Sequence, residues 1–265
     1  MTGPRNARKT TAGRSYVWTG PDGETETFTS VTTILGAVLA KPALPRWAAK
    51  VCAEYTVEKF GSLAAMMRSG DRDAVVSMIK QAPWTARDRA ADRGTLVHAL
   101  AEAVSLDQTP TVPEELRGYI AMWSAWVDSF SVKFEAAEAT VYHRGLGYAG
   151  TLDAIVECDI PGEGRQRVLI DLKTGRDVYP EASLQLTAYR YAEFMGLPDG
   201  TEAPMPEVFG TYVLHLMEDD FDFVPVRSDK GQRLDWEAVV QLHEWTRRKD
   251  LIGASLGSFA GKRLL

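Results

Sequence analysis

Cysteine is scarce in this chain. Its 265 residues include only two cysteines, Cys52 and Cys158, and each lies in an apolar stretch. Two cysteines are too few for a disulfide framework or for an iron–sulfur cluster held by four thiolates. We therefore expect no iron–sulfur cluster and a reducing, cytoplasmic compartment.

Long apolar runs and a positive net charge are also missing. No stretch approaches the ~20 apolar residues of a transmembrane helix, and the polar first residues do not resemble a signal peptide, so we expect no membrane partner. A net charge of −6 argues against a protein that coats nucleic acid through bulk electrostatics. It is compatible with an enzyme that binds DNA locally, because acidic metal ligands add to the negative count. The sequence also lacks repeats and a Walker-type phosphate loop.

The first 14 residues contain only basic charges. They hold Arg5, Arg8, Lys9 and Arg14 and no acidic residue. A frayed terminus explains this composition, and a mobile arm that binds phosphates is the alternative. We expect a flexible basic arm over 1–14, a hairpin and helical region over 15–84 and a core over 85–265. The last two are expected to form one continuous domain.

The order of predicted elements indicates an α/β fold with a mixed central sheet flanked by helices, preceded by an N-terminal hairpin and helical region. Turn residues at 20–23 predict a hairpin over 15–34, whose second strand is the run 28–33. Helices are predicted from Pro45 to a stop at Gly61, at 62–69, at 71–81, from a Thr85 cap to 105, from Pro113 to 130, at 180–195 and at 235–251. Strands are predicted at 132–143, 148–158, 167–173, 208–216 and 221–227.

An aromatic stripe follows one face of the helix after Pro113. It consists of Tyr119, Trp123, Trp126 and Phe130. Such a stripe could stack on nucleobases. Its helical spacing is explained more directly by packing in the core, which we expect.

Charged residues stand inside two of the predicted strands. Asp153 follows Gly150-Thr151-Leu152, whereas Asp171 and Lys173 follow an apolar run. Side chains at i and i+2 of a strand share a face, so Asp171 and Lys173 should project together. Asp153 could instead meet solvent or an arginine on an edge strand, and Lys173 could be only an ion-pair partner of Asp171. Together, the three favour a site for a divalent cation and an activated water, which phosphodiester hydrolysis requires.

Two predicted helices carry further polar candidates. Gly94, His98 and Glu102 are spaced i, i+4 and i+8, so they share a face. A lone histidine on a helix is more often structural than a ligand, and Glu102 is either a solvated acid or a support for His98. Gln185 and Tyr189 also share a helix face, where an amide and a phenol could bind phosphates or hold Lys173.

Taken in chain order, these motifs resemble the PD-(D/E)XK nuclease superfamily in its RecB-like branch. This branch includes the RecB and AddB nuclease domains, CRISPR-associated iron–sulfur exonucleases and many phage exonucleases. The iron–sulfur members use four cysteines, which this chain does not have. The matching motifs are Gly94-Thr95-x-x-His98-x-x-x-Glu102, Gly150-Thr151-Leu152-Asp153, Asp171-Leu172-Lys173-Thr174-Gly175 and Gln185-x-x-x-Tyr189.

The resemblance implies a restriction-endonuclease-like core and a specific set of site residues. His98, Asp153, Asp171 and the carbonyl of Leu172 would ligate Mg²⁺ or Mn²⁺, with Glu102 as a possible support behind them. Lys173 would position or activate the attacking water. Gln185 and Tyr189 would complete the catalytic signature.

The expected activity is that of a metal-dependent DNA nuclease, in the first place an exonuclease of DNA recombination, repair or phage DNA processing. An endonuclease of the same fold and a non-catalytic DNA-binding subunit stay open. A metal-free hydrolase with Asp153 and Asp171 as an acid/base pair leaves Lys173 and His98 unexplained. The expected partner is DNA, which a recombinase, a single-strand-binding protein or a helicase could supply. The cytoplasm is the expected location, including the host cytoplasm for a phage-encoded protein.

Overall fold

A computed structural model describes residues 7–10, 13–20, 22–106, 108–197 and 199–251. Over these ranges the chain forms seven α-helices, one short 3₁₀ turn and ten strands of a single mixed sheet. The expected α/β fold, with parallel and antiparallel strands flanked by helices and an N-terminal hairpin, is confirmed. In this part of the chain no helix is both long and apolar enough to cross a membrane.

The elements follow one another in an order close to the predicted one. The strands are β1 Ala7–Thr10, β2 Gly13–Thr19, β3 Thr25–Ser30, β4 Lys133–His143, β5 Tyr148–Ile160, β6 Gly164–Lys173, β7 Phe194–Gly196, β8 Glu202–Pro204, β9 Gly210–Leu216 and β10 Phe221–Val226. The helices are α1 Val31–Val38, α2 Ala43–Glu58, α3 Phe60–Arg68, α4 Arg72–Ser105, α5 Arg117–Ser129, α6 Glu181–Arg190 and α7 Lys230–Thr246.

The long strand β5 organises the sheet. On one side it pairs antiparallel with β4, which continues to β7 and β8. On the other side its second half pairs antiparallel with β6, which pairs in parallel with β9, and β9 is joined antiparallel to β10. The N-terminal hairpin joins this second side through β3, which pairs in parallel with Tyr148 and Ala149 at the start of β5.

Two large apolar cores lie against the sheet, and a smaller, mostly aromatic one lies at the N-terminal hairpin. One packs α1, α6 and α7 around residues such as Leu152, Leu186 and Trp236. The other packs the C-terminal part of α4 and all of α5 against Val156 and Leu214. The aromatic stripe of α5 belongs to this second core, as expected: Trp123 and Trp126 are buried in it, and Tyr119 and Phe130 are partly buried against it. Polar side chains of the sheet that lie buried between these cores therefore need polar partners.

The predicted N-terminal arm overlaps a strand. Residues 7–10 form β1, which pairs antiparallel with β2. Residues 1–6, 11 and 12 of the predicted arm lie outside the described residues.

The predicted break between the helices 71–81 and 85–105 is wrong. One helix, α4, runs from Arg72 to Ser105 with Pro83 inside it. Thr85 is not a cap, because its hydroxyl donates a hydrogen bond to the carbonyl of Gln81 at 3.3 Å, one helical turn back. Proline has no N–H to donate to the carbonyl four residues earlier, that of Ile79. The thiol of Cys52 on α2 donates to this carbonyl at 3.4 Å.

Two limits near the N-terminus also differ from the prediction. The second hairpin strand ends at Ser30, because the Ser30 hydroxyl accepts the N–H of Thr33 at 3.3 Å and starts α1. This is the N-cap preference of serine, and it outweighs the strand preference of the valine and threonines that follow. Gly61 does not stop a helix. The chain turns at Lys59, and Gly61 lies in the first turn of α3.

The limits of two helices near the C-terminus were also misplaced. The last helix, predicted over 235–251, ends at Thr246. The helix predicted over 180–195 ends at Arg190, and Phe194–Gly196 forms β7 against β4. The last helix begins at Lys230 rather than Asp235, because the Asp229 carboxylate caps it by accepting the N–H of Gln232 at 2.9 Å. A sheet partner decides the end at Arg190 and a capping group decides the start at Lys230, and neither limit follows from the apolar periodicity.

Candidate metal and catalytic site

The site lies at a fork in the sheet. β3 pairs with β5 only at Tyr148 and Ala149, and β6 begins to pair with β5 at Ala154. Among the described strands, none pairs with residues 150–153 on this side of β5. The carboxylate of Asp153 closes the fork by accepting the backbone N–H of Leu172 at 2.5 Å. The two sequence-predicted acidic strands therefore meet at this point.

Two glycines let helices approach the fork. A Cβ on Gly150 would lie 2.4 Å from the Tyr189 ring, so only glycine allows α6 to place this tyrosine against β5. A Cβ on Gly94 would lie 3.3 Å from Oγ1 of Thr174, the residue after Lys173. These close approaches bring α4 and α6 to the end of β6.

One imidazole and two carboxylates form a compact group. His98 Nδ1 lies 3.4 Å from Asp153 Oδ1 and 3.9 Å from Glu138 Oε1. Each of the three residues offers one potential ligand atom, and these three atoms all lie within 4.8 Å of one another. His98 Nε2 lies 3.0 Å from the carbonyl oxygen of Leu172. Three of the four predicted ligand positions, His98, Asp153 and Leu172, are thus adjacent, and Glu138 is an addition.

Glu138 was not identified from the sequence, although a signal for it existed. The register of β4 and β5 pairs Ala137 with Ala154 and Ala139 with Leu152, so Glu138 stands opposite Asp153. Residues opposite each other in an antiparallel pair lie side by side. The turn at 144–147 would have fixed this register, but the glutamate lies in a stretch rich in alanine that shows no site motif.

Asp171 and Lys173 form the other half of the site. The two side chains share a face of β6, as predicted, and Lys173 Nζ lies 2.7 Å from Asp171 Oδ2. Gln185 on α6 donates its amide to Asp171 Oδ1 at 2.8 Å and to the Tyr189 hydroxyl at 3.3 Å. Its carbonyl oxygen accepts a hydrogen bond from Lys173 at 3.5 Å. Asp171 does not belong to the group formed by His98, Glu138 and Asp153.

Glu102 lies beside this group but not in it. It lines a small cavity together with His98, Glu138, Asp153 and Trp123. The cavity measures about 20 Å³, which is room for about one water molecule. This placement fits the support position that the sequence suggested for Glu102.

Burial and charge shift the pKa values of the site in opposing directions. For His98, burial favours the neutral ring, but the charge and hydrogen bond of Asp153, together with Glu138, outweigh it and raise the pKa to about 10. For Asp153, burial raises the pKa, but His98 and Lys173 reverse this effect and lower it. For Asp171, burial dominates and raises the pKa despite Lys173. The site therefore concentrates negative charge that cations must balance.

Comparisons with known proteins add little. No protein-family model matches this chain, and no curated protein matches it. The crystal structure of SSO0001 aligns with 75% of this chain and 71% of its own chain, at 13% sequence identity and a TM-score of 0.30. A likeness this weak carries no argument about fold or function.

Proposed function

We propose that this protein is a divalent-metal-dependent deoxyribonuclease that hydrolyses phosphodiester bonds, a RecB-like member of the PD-(D/E)XK superfamily. The observation that supports it most is the group of His98, Glu138 and Asp153, whose ligand atoms lie within 4.8 Å of one another. Beside it, the Lys173 ammonium is held at 2.7 Å from Asp171 on the neighbouring strand. A cation site and a fixed ammonium at one sheet fork are the parts that phosphodiester hydrolysis uses.

The donor set fits Mg²⁺ or Mn²⁺. Carboxylate and carbonyl oxygens suit both ions. The His98 ring would have to give up its proton to bind either of them. His98, Glu138 and Asp153 would hold the ion, with Asp171 and the Leu172 carbonyl as the further donors that the motif implies. When bound, such an ion would polarise the scissile phosphate and lower the pKa of a water.

Lys173 acts as a fixed positive charge in this proposal. Burial disfavours its charged form, but Asp171 and Asp153 outweigh burial and raise its pKa above the ordinary value. The ammonium therefore stays protonated at neutral pH, which suits it to orient a water and to offset negative charge on the phosphate. A protonated lysine cannot accept the proton of the water, so Lys173 is not the general base.

Gln185 and Tyr189 hold this arrangement in place. The Gln185 amide contacts both Asp171 and Lys173, so it fixes the ion pair in one orientation. Tyr189 is buried, which raises its pKa well above the ordinary value, so its hydroxyl stays neutral and serves as a hydrogen-bonding group.

Digestion of end-labelled linear DNA and covalently closed circular DNA, with Mg²⁺, Mn²⁺ or EDTA, tests this function. We expect degradation of linear DNA with either metal, sparing of the circle, and no cleavage in EDTA. Asp153→Asn and Lys173→Ala should abolish cleavage. Asp159→Asn, an exposed aspartate on the same strand, should keep it.

Each alternative has its own outcome. Cleavage of the closed circle would identify an endonuclease of the same fold. Metal and DNA binding without cleavage would identify a non-catalytic subunit. An active Lys173→Ala variant, or cleavage that survives in EDTA, would contradict the proposed mechanism.

A further inference from the structure

The helix face that presents His98 to the site continues along α4. With 3.6 residues per turn, Trp84, Arg87, Ala91, Gly94 and His98 fall within about 80° of arc, and we call them the α4 stripe. All five follow Pro83, so the proline inside the helix does not interrupt them. From Trp84 to His98 the stripe is about 21 Å long at 1.5 Å per residue.

The outer part of the stripe is exposed. Every residue from Trp84 to Leu96 is exposed or half-buried, whereas Ala82 and Pro83 before this stretch and Val97 after it are buried. The Trp84 indole is 53% exposed, and the Arg87 guanidinium lies 4.6 Å from the centre of its ring. A large aromatic ring paired with a cation is therefore open to solvent on the helix that leads into the site.

The charge of this stretch is opposite to that of the whole chain. Residues 80–93 hold four basic side chains and two acidic ones, in a protein of net charge −6. The basic residues are Lys80, Arg87, Arg89 and Arg93. Lys80 and Arg87 fall on the face of the α4 stripe, whereas Arg89 and Arg93 project from the other side of the helix. Arg87 also pairs with Asp88 at 2.7 Å, so a phosphate that binds Arg87 competes with this exposed carboxylate. A guanidinium attracts phosphates, and an exposed aromatic ring stacks on any unpaired base. An unpaired DNA strand matches both properties, whereas a base inside a duplex cannot stack on a side chain.

We propose that the α4 stripe binds an unpaired DNA strand that enters the site, with a base stacked on Trp84 and a phosphate neutralised by Arg87. This inference rests on the proposed function, since it assigns the scissile phosphate to the end of the stripe at His98. At 3.4 Å per stacked nucleotide, the stripe spans about six nucleotides. Trp84 therefore contacts DNA well away from the phosphate that is cleaved.

The test is DNA binding in EDTA, measured by fluorescence anisotropy with a labelled oligothymidylate of about 12 nucleotides, twice the stacked span. Trp84→Ala should weaken binding about 5- to 100-fold, the range of one lost base stack, and Trp84→Phe should restore part of it. Arg87→Gln should weaken binding and reduce the slope of log affinity against log salt by about one. Trp245→Ala and Arg247→Gln at the end of α7 are matched controls, because Trp245 is 57% exposed and Arg247 also pairs with an acid. Both should bind like the wild type.

The outcomes separate this inference from the nuclease assignment. Unchanged binding in Trp84→Ala, with far-UV circular dichroism like that of the wild type, overturns the inference even if the protein cleaves DNA. The inference is also overturned if Trp84→Ala weakens binding to a blunt duplex as much as binding to the single strand, because a duplex offers no unpaired base along its length. If Trp84→Ala and Arg87→Gln weaken binding but the wild type cleaves no DNA with any metal, the binding surface stands and the nuclease assignment fails.

Discussion

Glu138 combines a position in the site with an unusual backbone. Its φ angle is +48°, in the left-handed region, although β4 pairs regularly with β5 on either side of it. For a residue with a Cβ, this conformation costs about 1–2 kcal/mol. Strained residues of this kind persist where the surrounding structure holds them, and they cluster at functional sites. The carboxylate of Glu138 faces His98 and Asp153, which gives the strain a reason.

A pair of substitutions at Glu138 separates strain from ligation. Glu138→Gly should be more stable than Glu138→Ala by about 1 kcal/mol in urea unfolding, because glycine adopts the left-handed region without strain. The φ angle of Glu157 on β5 is not positive, so there the alanine variant should be more stable than the glycine variant. Both Glu138 variants should bind Mn²⁺ more weakly than the wild type, measured from the electron paramagnetic resonance signal of free Mn²⁺. Unchanged Mn²⁺ affinity in both would remove Glu138 from the cation site.

The residues of the site differed in how far the sequence could identify them. Asp153, Asp171 and Lys173 were visible because a charge inside an apolar strand needs a partner, and the structure supplies partners for all three. His98 was a candidate from its helix face, but its assignment as a ligand rested on the resemblance, since nothing in one helix reveals that a strand residue lies opposite it. Glu138 was missed because its role depends on strand register and on a backbone conformation that side-chain alternation does not reveal.

At the scale of elements, α4 shows how tertiary packing can override a local break. Pro83 leaves the carbonyl of Ile79 without its helical N–H partner. The sequence predicted two helices here because Thr85 resembles an N-cap. Cys52 on α2 donates its thiol to this carbonyl at 3.4 Å, and Ala82 and Pro83 are buried. A sequence pattern cannot show this compensation, because Cys52 comes from another helix. The meander of β4, β5 and β6 was predicted well, because its turns contain glycine and its strands are apolar and adjacent in the chain.

Pro83→Ala should stabilise the protein. The alanine N–H can donate to the carbonyl of Ile79, and an interior proline costs up to about 3 kcal/mol, so we expect a gain of about 1–3 kcal/mol in urea unfolding. Pro45→Ala is the matched control, because Pro45 lies in the first turn of α2, where the N–H needs no helical partner. It should lower stability by up to ~1 kcal/mol through the freer unfolded chain. A loss of stability in Pro83→Ala would mean that proline packing outweighs the missing hydrogen bond.

At the scale of the whole molecule, the fork in the sheet brings distant parts of the chain to one point. α4 supplies His98, β4 supplies Glu138, and β5, β6 and α6 supply the remaining groups. Two separate apolar cores hold these elements from opposite faces, so the site does not rely on loops for its geometry. Folding therefore gathers carboxylates whose charge is balanced by the His98 ring, with its raised pKa, and by the Lys173 ammonium.

This cluster of acids predicts that a divalent cation, bound in exchange for the proton on His98, stabilises the folded chain. An ion that binds the folded state alone adds about 2.7 kcal/mol at a concentration of 100 times its Kd. For a chain of this size, that gain should raise Tm by about 5–10 °C, measured by circular dichroism with Mg²⁺ or Mn²⁺ against EDTA. Asp153→Asn and Glu138→Gln should remove most of the shift, because each takes one charge from the group around His98. Asp159→Asn, exposed on the same strand, should keep it. A full shift in Asp153→Asn would place the bound cation elsewhere on the protein, and the cleavage assay would then have to be explained without this group.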